Sequence, residues 1–384
     1  MKVAFLEGAK TKGILTEEQA KDLFGWIEKS QRYSFNKSHA VSYACNAYLS
    51  AFAKAHFARA FFTSYLRYSK EKQRPYDEIH ELIQNARLMA VNINGPDIRH
   101  LYKHFKLIDK RIYFGFYDIK GIGESVWNKI IKQLETTTKT LNKPIDKWTW
   151  LEFLVHCSQG INSTAVVALI NSGSLSFMGV SRTRMTYEYN LYDKLTEKEK
   201  RWTEKYVLLH GDIQLQDVLT ALTASATGKN GACANEKRRN AIYSLIKTLT
   251  SPSYNLNDAP EWMASVEESL LGIPLTCTSI DACDTSAANC TCLEYAQGCS
   301  PKVILVAAKI DSVNEIKTKT GKNPGRKMAF LKVSDISGSI DNVVIFPDVW
   351  EEARKIVFLG NNILIHGERS KNQDSFVVKQ VWQI

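Results

Sequence analysis

Lys327-Met328-Ala329-Phe330-Leu331-Lys332-Val333-Ser334-Asp335 alternates side-chain character with a period of two, the pattern of a half-buried β-strand. Ala329, Leu331 and Val333 are expected to face a core, and Met328, Phe330 and Lys332 the opposite surface. Similar short runs flank it at 303–310, 340–346, 363–366 and 376–382, with a helical run at 349–356. Five short strands with a helix between the third and fourth predict a small barrel of the oligonucleotide-binding type. The loop joining the first two strands, from Lys317 to Lys327, is strongly basic. Lys317, Lys319, Lys322, Arg326 and Lys327, with Phe330 and Lys332 on the strand, are therefore candidate contacts to single-stranded DNA. The cations would meet the backbone and the ring would stack on a base. A protein-interaction barrel with a solvated charged loop is the alternative.

Upstream the period changes to that of helices. Thr16-Glu17-Glu18-Gln19 reads as a capping box opening one helix. A longer helix is expected over 38–68, with Val41, Cys45, Tyr48 and Phe52 on one face. His39, Ser42, Asn46, Ser50 and Lys54 fall on the opposite side. A third helix is expected over 76–90, and Pro96-Asp97 marks a turn. Phe35-Asn36-Lys37-Ser38-His39 stands where the long helix begins, and free N–H groups at such a position favour phosphate. Lys37 adds a charge and His39 a donor; alternatively, Asn36 or Ser38 simply caps the helix.

From 112 to 179 short helices alternate with glycine turns. Ile119-Lys120-Gly121-Ile122-Gly123 fits the hairpin of a helix-hairpin-helix element, in which backbone N–H groups grip one phosphate without reading sequence. Lys120, Gly121 and Gly123 are its candidate duplex contacts, and a plain turn between helices is the alternative. Between 180 and 300 the text is irregular, with a charged helical stretch at 182–206 and a loop at 223–235.

The 384 residues carry a net charge of +10 with 44% hydrophobic residues, enough for several ordinary cores and a polyanionic partner. No apolar run approaches the length of a membrane span, and the first residues do not form a signal peptide. A soluble, cytoplasmic protein without a membrane partner is expected. Cys277, Cys283, Cys290, Cys292 and Cys299 lack the spacing of a closed zinc site, so free thiols and no metal are expected. The acids are scattered rather than paired for two-metal chemistry, and no catalytic residue is expected in this chain.

Phe5-Leu6-Glu7-Gly8-Ala9, Phe35-Asn36-Lys37-Ser38-His39-Ala40-Val41-Ser42-Tyr43-Ala44 and Lys54-Ala55-His56-Phe57 together resemble the fingers region of the C-family replicative polymerases, the alpha subunits of bacterial DNA polymerase III. Pro96-Asp97-Ile98, the glycine stretch ending at Gly123, and Leu271-Gly272-Ile273-Pro274-Leu275 follow in the family's order. The resemblance implies a multidomain chain, mostly α and closing in the barrel. Its expected divisions are a fingers-like region at 1–110, helix-hairpin-helix at 111–180, a connector at 181–300 and the barrel at 301–384. It assigns Asn36, Lys37, Ser38, His39, Ser42 and Lys54 to incoming nucleotide and template.

The family's palm, with its catalytic aspartates and Mg²⁺, lies upstream of the fingers. The resemblance therefore implies a fragment: a split gene of a phage or other compact genome, a truncated copy or an expressed piece. DNA, both duplex and single-stranded, and a palm-bearing half are the implied partners. A sliding clamp is a further candidate, through Gln214-Leu215-Gln216-Asp217-Val218-Leu219. A stand-alone DNA-binding accessory protein descended from a polymerase is the alternative.

Overall fold

The computed structural model describes all residues but 32–36, 212, 229–230, 300, 319–323 and 371–374. The chain divides into two units, Met1–Phe57 and Ala58–Ile384. The first holds α1 (Lys2–Lys12), α2 (Glu17–Gln31) and α3 (Lys37–His56). The Thr16 amide donates to Gln19 Oε1 at 3.0 Å and the Gln19 amide to Thr16 Oγ1 at 3.2 Å, so the expected capping box opens α2. The helix expected over 38–68 is interrupted at Phe57, whose amide still donates to the Ala53 carbonyl at 2.8 Å. Val41, Tyr48 and Phe52, on the helix's apolar face, are all exposed.

The second unit opens with α4 (Ala58–Arg67) and α5 (Pro75–Leu88), the latter started by a proline at its first position. Three short strands follow, β1 (Ile93–Asn94), β2 (Lys106–Ile108) and β3 (Arg111–Tyr113), ordered β1-β3-β2. Then come α6 (Glu124–Leu141), α7 (Trp150–Glu152) and α8 (Ser163–Asn171). A π-helical turn, Phe153–Cys157, continues directly from α7.

The irregular stretch after 180 is largely helical: α9 (Arg182–Tyr192), α10 (Glu197–His210), α11 (Leu215–Ala224), α12 (Glu236–Thr250) and α13 (Pro260–Leu271). Its period is blurred because polar pairs are buried between the helices. Arg182 Nη1 lies 2.7 Å from Glu267 Oε1, and Arg238 Nε lies 2.8 Å from Glu199 Oε1. Trp150 Nε1 donates to Glu188 at 2.7 Å. Buried charge survives only with such partners, and each charged position breaks an apolar stripe. One continuous core joins all these helices to the small sheet, from Leu66 and Ile83 through Phe114 and Phe153 to Val218 and Ile242.

The chain ends in a closed barrel preceded by the short α14 (Cys292–Ala296). Its strands are β4 (Ile304–Lys317), β5 (Lys327–Ser334), β6 (Ser339–Ile345), β7 (Asn362–Arg369) and β8 (Phe376–Gln383), with α15 (Pro347–Ala353) between β6 and β7. The order β4-β5-β6-β8-β7, with β6 and β8 parallel, is that of the oligonucleotide-binding fold. Ala329, Leu331 and Val333 face the core as expected; Met328, opposite Ile316, is buried too. Cys290, Cys292 and Tyr295 belong to the same core, so the barrel's packing begins upstream of its first strand.

Candidate nucleic-acid interface

Ile119 and Ile122, buried almost completely, anchor the glycine hairpin in the core. The Ile122 amide donates to the Ile119 carbonyl at 3.2 Å, and Gly121 turns the chain with φ of 90°, which L side chains rarely adopt. The Lys120 amide donates to Leu270 at the end of α13, fixing the hairpin's orientation. Gly123 then opens α6 without a side-chain cap, leaving first-turn amides for an outside acceptor. No atom lies within 4 Å of a Cβ built at Gly121 or Gly123, so the turn's outer side is open.

A second turn of the same kind was missed from sequence. In Ser158-Gln159-Gly160-Ile161-Asn162, the Ile161 amide donates to Ser158 at 3.2 Å, and Ile161 is buried as Ile122 is. Asn162 opens α8, again with no side-chain cap. The signal was a Gly-Ile pair, then a small residue, then a helix, at both places. A Cβ at Gly160 would meet Gln133 Oε1 at 2.0 Å, so a larger residue there would have to displace the Gln133 side chain. Gln133 and Thr137 of α6 both donate to the His156 carbonyl in the π-helical turn, at 2.9 and 3.0 Å. Lys120, Ser163 and Thr164 line a single cleft of about 780 Å³, so the lysine and the start of α8 face common space.

Asp118 lies directly beneath the hairpin, fully buried, with neither carboxylate oxygen in a hydrogen bond. Burial pushes its pKa up to about 7, against the smaller opposing pull of Lys70.

On the barrel, Phe330 is half-exposed, between Asn314 of β4 and Val344 of β6. Several of the cations around it are already engaged. Arg326 reaches Asp348 at 2.6 Å and Glu351 at 3.0 Å, Lys327 reaches Glu315 at 2.7 Å, and Lys332 reaches Asp341 at 3.1 Å. Lys317 is exposed, whereas Lys319 and Lys322 lie outside the described residues. In the first unit, Ser38, His39 and Ser42 are exposed on α3 and Lys54 is half-buried; Asn36 lies outside the described residues. Ser38 and Ser42 are one turn apart on a shared face. Lys37 lies one turn before Val41 and so falls on the apolar side, away from that polar stripe.

The segment 214–219 begins α11, and Leu215, Val218 and Leu219 are buried in the helical core. Those side chains cannot serve a clamp while the helix is folded. The cysteines between 277 and 299 are spread over different environments, from the barrel core at Cys292 to the surface at Cys299. Among the described residues, no three His, Cys, Asp or Glu side chains gather as a metal site. No described helix is long and apolar enough to cross a membrane.

Hairpin-led helices with open amide ends, followed by a five-stranded barrel, define a chain built from helix-hairpin-helix and oligonucleotide-binding modules. A family model described as the helix-hairpin-helix motif matches residues 90–185, a span that takes in both turns. Across its whole length the chain is 25% identical to the DNA polymerase III subunit alpha of Borreliella burgdorferi and 26% identical to that of Aquifex aeolicus. A stretch of 131 residues is 34% identical to the Deinococcus radiodurans subunit. The chain is thus similar along its whole length to part of the DNA polymerase III alpha subunit, with a helix-hairpin-helix match inside that span. It spans less than a third of the relatives it matches along its full length, 30% and 28% of the two.

Proposed function

We propose that this chain is the DNA-handling part of a DNA polymerase III alpha-like enzyme, completed by a palm-bearing half that supplies the carboxylates and Mg²⁺. The observation that carries the reading is the cleft shared by Lys120 and the start of α8, beside two uncapped helix ends, in a chain related throughout to the alpha subunit. Open amides and a lysine suit two phosphates of a duplex backbone and read no sequence. The barrel, with Phe330 and its cations, holds single-stranded template. The polar side of α3, with Ser38, His39, Ser42 and Lys54, serves the incoming nucleotide, and its exposed apolar side, with Val41, Tyr48 and Phe52, receives the partner half.

The hairpin glycines give a direct test. Gly123 has φ of −96° and open space around it, so Gly123→Ala leaves Tm unchanged. A methyl there blocks close approach of a phosphate, and duplex affinity by fluorescence anisotropy falls by roughly tenfold. Gly121→Ala, at positive φ, lowers Tm as well. Undiminished duplex binding by Gly123→Ala would remove the hairpin from the interface.

A further inference from the structure

The small sheet has two unlike faces. Ile93, Leu107 and Ile112 pack against the helical core, which by alternation places Asn94, Lys106, Arg111 and Tyr113 on the other side. His100 and Tyr102 stand against Tyr113 there, with ring centroids 5.3 and 5.7 Å from it. Lys106 Nζ lies 4.9 Å from the Tyr102 ring centre. Among the described residues, Lys106, Lys110 and Arg111 are exposed and hold no ion pair, whereas Arg99 nearby is engaged by Asp97.

The turn between β2 and β3 adds an independent observation. Asp109 and Lys110 both have positive φ, 45° and 68°, as a two-residue hairpin turn requires. Asn-Gly is the unstrained choice, yet a lysine occupies the second position, and folding gains nothing from it. Beside the sheet opens a cavity of about 570 Å³, walled by Asn94, His100, Arg111 and Tyr113 and lined also by Ser172, Thr276 and the ion-paired Asp97–Arg99 and Arg182–Glu267.

We propose that this face binds single-stranded DNA at a site separate from the barrel. An unpaired base stacks on the Tyr102–Tyr113 rings with the cavity beside it, and phosphates lie against Lys106, Lys110 and Arg111. A duplex offers no free base to rings or cavity, so charge complementarity together with the half-exposed Tyr102 and Tyr113 rings selects the single strand. The inference rests on the DNA-handling reading above but concerns a different surface.

The decisive experiment is photocrosslinking of the full chain to a 5-iodouracil-substituted single strand, followed by peptide mapping. Adducts on His100, Tyr102 or Tyr113 are expected. Adducts confined to barrel peptides overturn this site and leave the barrel reading standing, and a chain that binds no single strand overturns both. Lys110→Gly separates binding from folding, because it relieves the turn and raises Tm by roughly 1–3 °C. It should weaken single-strand binding by roughly threefold and lower the salt slope by about one; unchanged affinity counts against the site. Tyr113→Leu should lose about tenfold in single-strand affinity while Tyr113→Phe retains it. Equal loss on duplex DNA would make this face a backbone grip and overturn the assignment.

Discussion

Asp118 shows how one side chain couples the hairpin to pH. Its carboxyl is enclosed by Lys70, Tyr76, His104 and the Phe105 amide, and a Cβ at Gly115 would sit 2.5 Å from Oδ2. His104, half-buried beside it, is itself held below the usual imidazole range by its partial burial first and by Arg67, Lys103 and Lys70 after that. The folded protein binds the Asp118 proton more tightly than the unfolded chain does, since its pKa rises from 3.8 to about 7. Stability is therefore full below the unfolded value and falls as pH rises through about 7, by an amount on the order of 2–4 kcal/mol. Asp118→Asn should flatten Tm between pH 5 and pH 8, with the largest gain over wild type at the alkaline end. A wild-type melting profile that does not decline across that interval would contradict the assignment.

Among elements, the barrel and the hairpin were legible in the sequence for separate reasons. The barrel strands bury one face only, so their period survived, and Ala329, Leu331 and Val333 point where alternation puts them. The hairpin was marked by its glycines, but its companion at Gly160 carries one glycine and an asparagine and passed unnoticed. Helices α9 to α13 were partly hidden because Arg182, Glu199 and Glu267 occupy core positions that the eye assigns to solvent. What no sequence pattern reveals is which acid meets which cation. Glu315 and Asp341 hold Lys327 and Lys332 beside Phe330, and the Lys327 hydrogen bond keeps Glu315 below the usual carboxylate range. If those lysines contact DNA, each must leave its acid first. Glu315→Gln with Asp341→Asn should raise single-strand affinity by roughly threefold at low salt and leave duplex affinity unchanged. Anisotropy titrations at two salt concentrations check this, and a loss of affinity would show the pairs to be structural supports.

In the second unit, an ion pair seats the barrel on the helical body, and hydrogen bonds seat the stretch after α13 on α5. Lys309 of β4 reaches Glu268 of α13 at 2.8 Å, His80 of α5 meets the Gly272 carbonyl at 3.2 Å, and Arg87 donates to the Pro274 carbonyl at 2.9 Å. Gly272 is fixed by this seating, since a Cβ there would lie 2.9 Å from the Tyr76 carbonyl oxygen. The stretch between α13 and β4 is a working part of the barrel. Ile280 covers Ala307 and Leu364 on its outside, and Tyr295 packs on Phe376 within, centroids 5.3 Å apart. A fragment of 301–384 should therefore melt well below one of 276–384, by several kcal/mol for the lost apolar cover. Parallel thermal melts compare them, and equal Tm values would show the upstream stretch to be dispensable. The same dependence limits how the whole protein can be dissected: DNA affinities measured on a barrel cut at Pro301 report a weakened domain.

Cys292 has a consequence of another kind. Its thiol is completely enclosed in the barrel core, and burial first, then Asp335, raises its pKa well above the ordinary thiol range. Cys45 and Cys299, by contrast, are open to solvent. A thiol-reactive dye therefore meets fast and slow populations in a single molecule, and the Cys292 adduct, resolved by peptide mapping from those of Cys157 and Cys233 in the helical core, reports how often the barrel breathes. Labelling followed over hours, with and without a bound strand, turns a buried sulfur into a clock for opening events that no static picture records. A ligand that grips the barrel slows that clock, and one that grips only the hairpins leaves its rate alone.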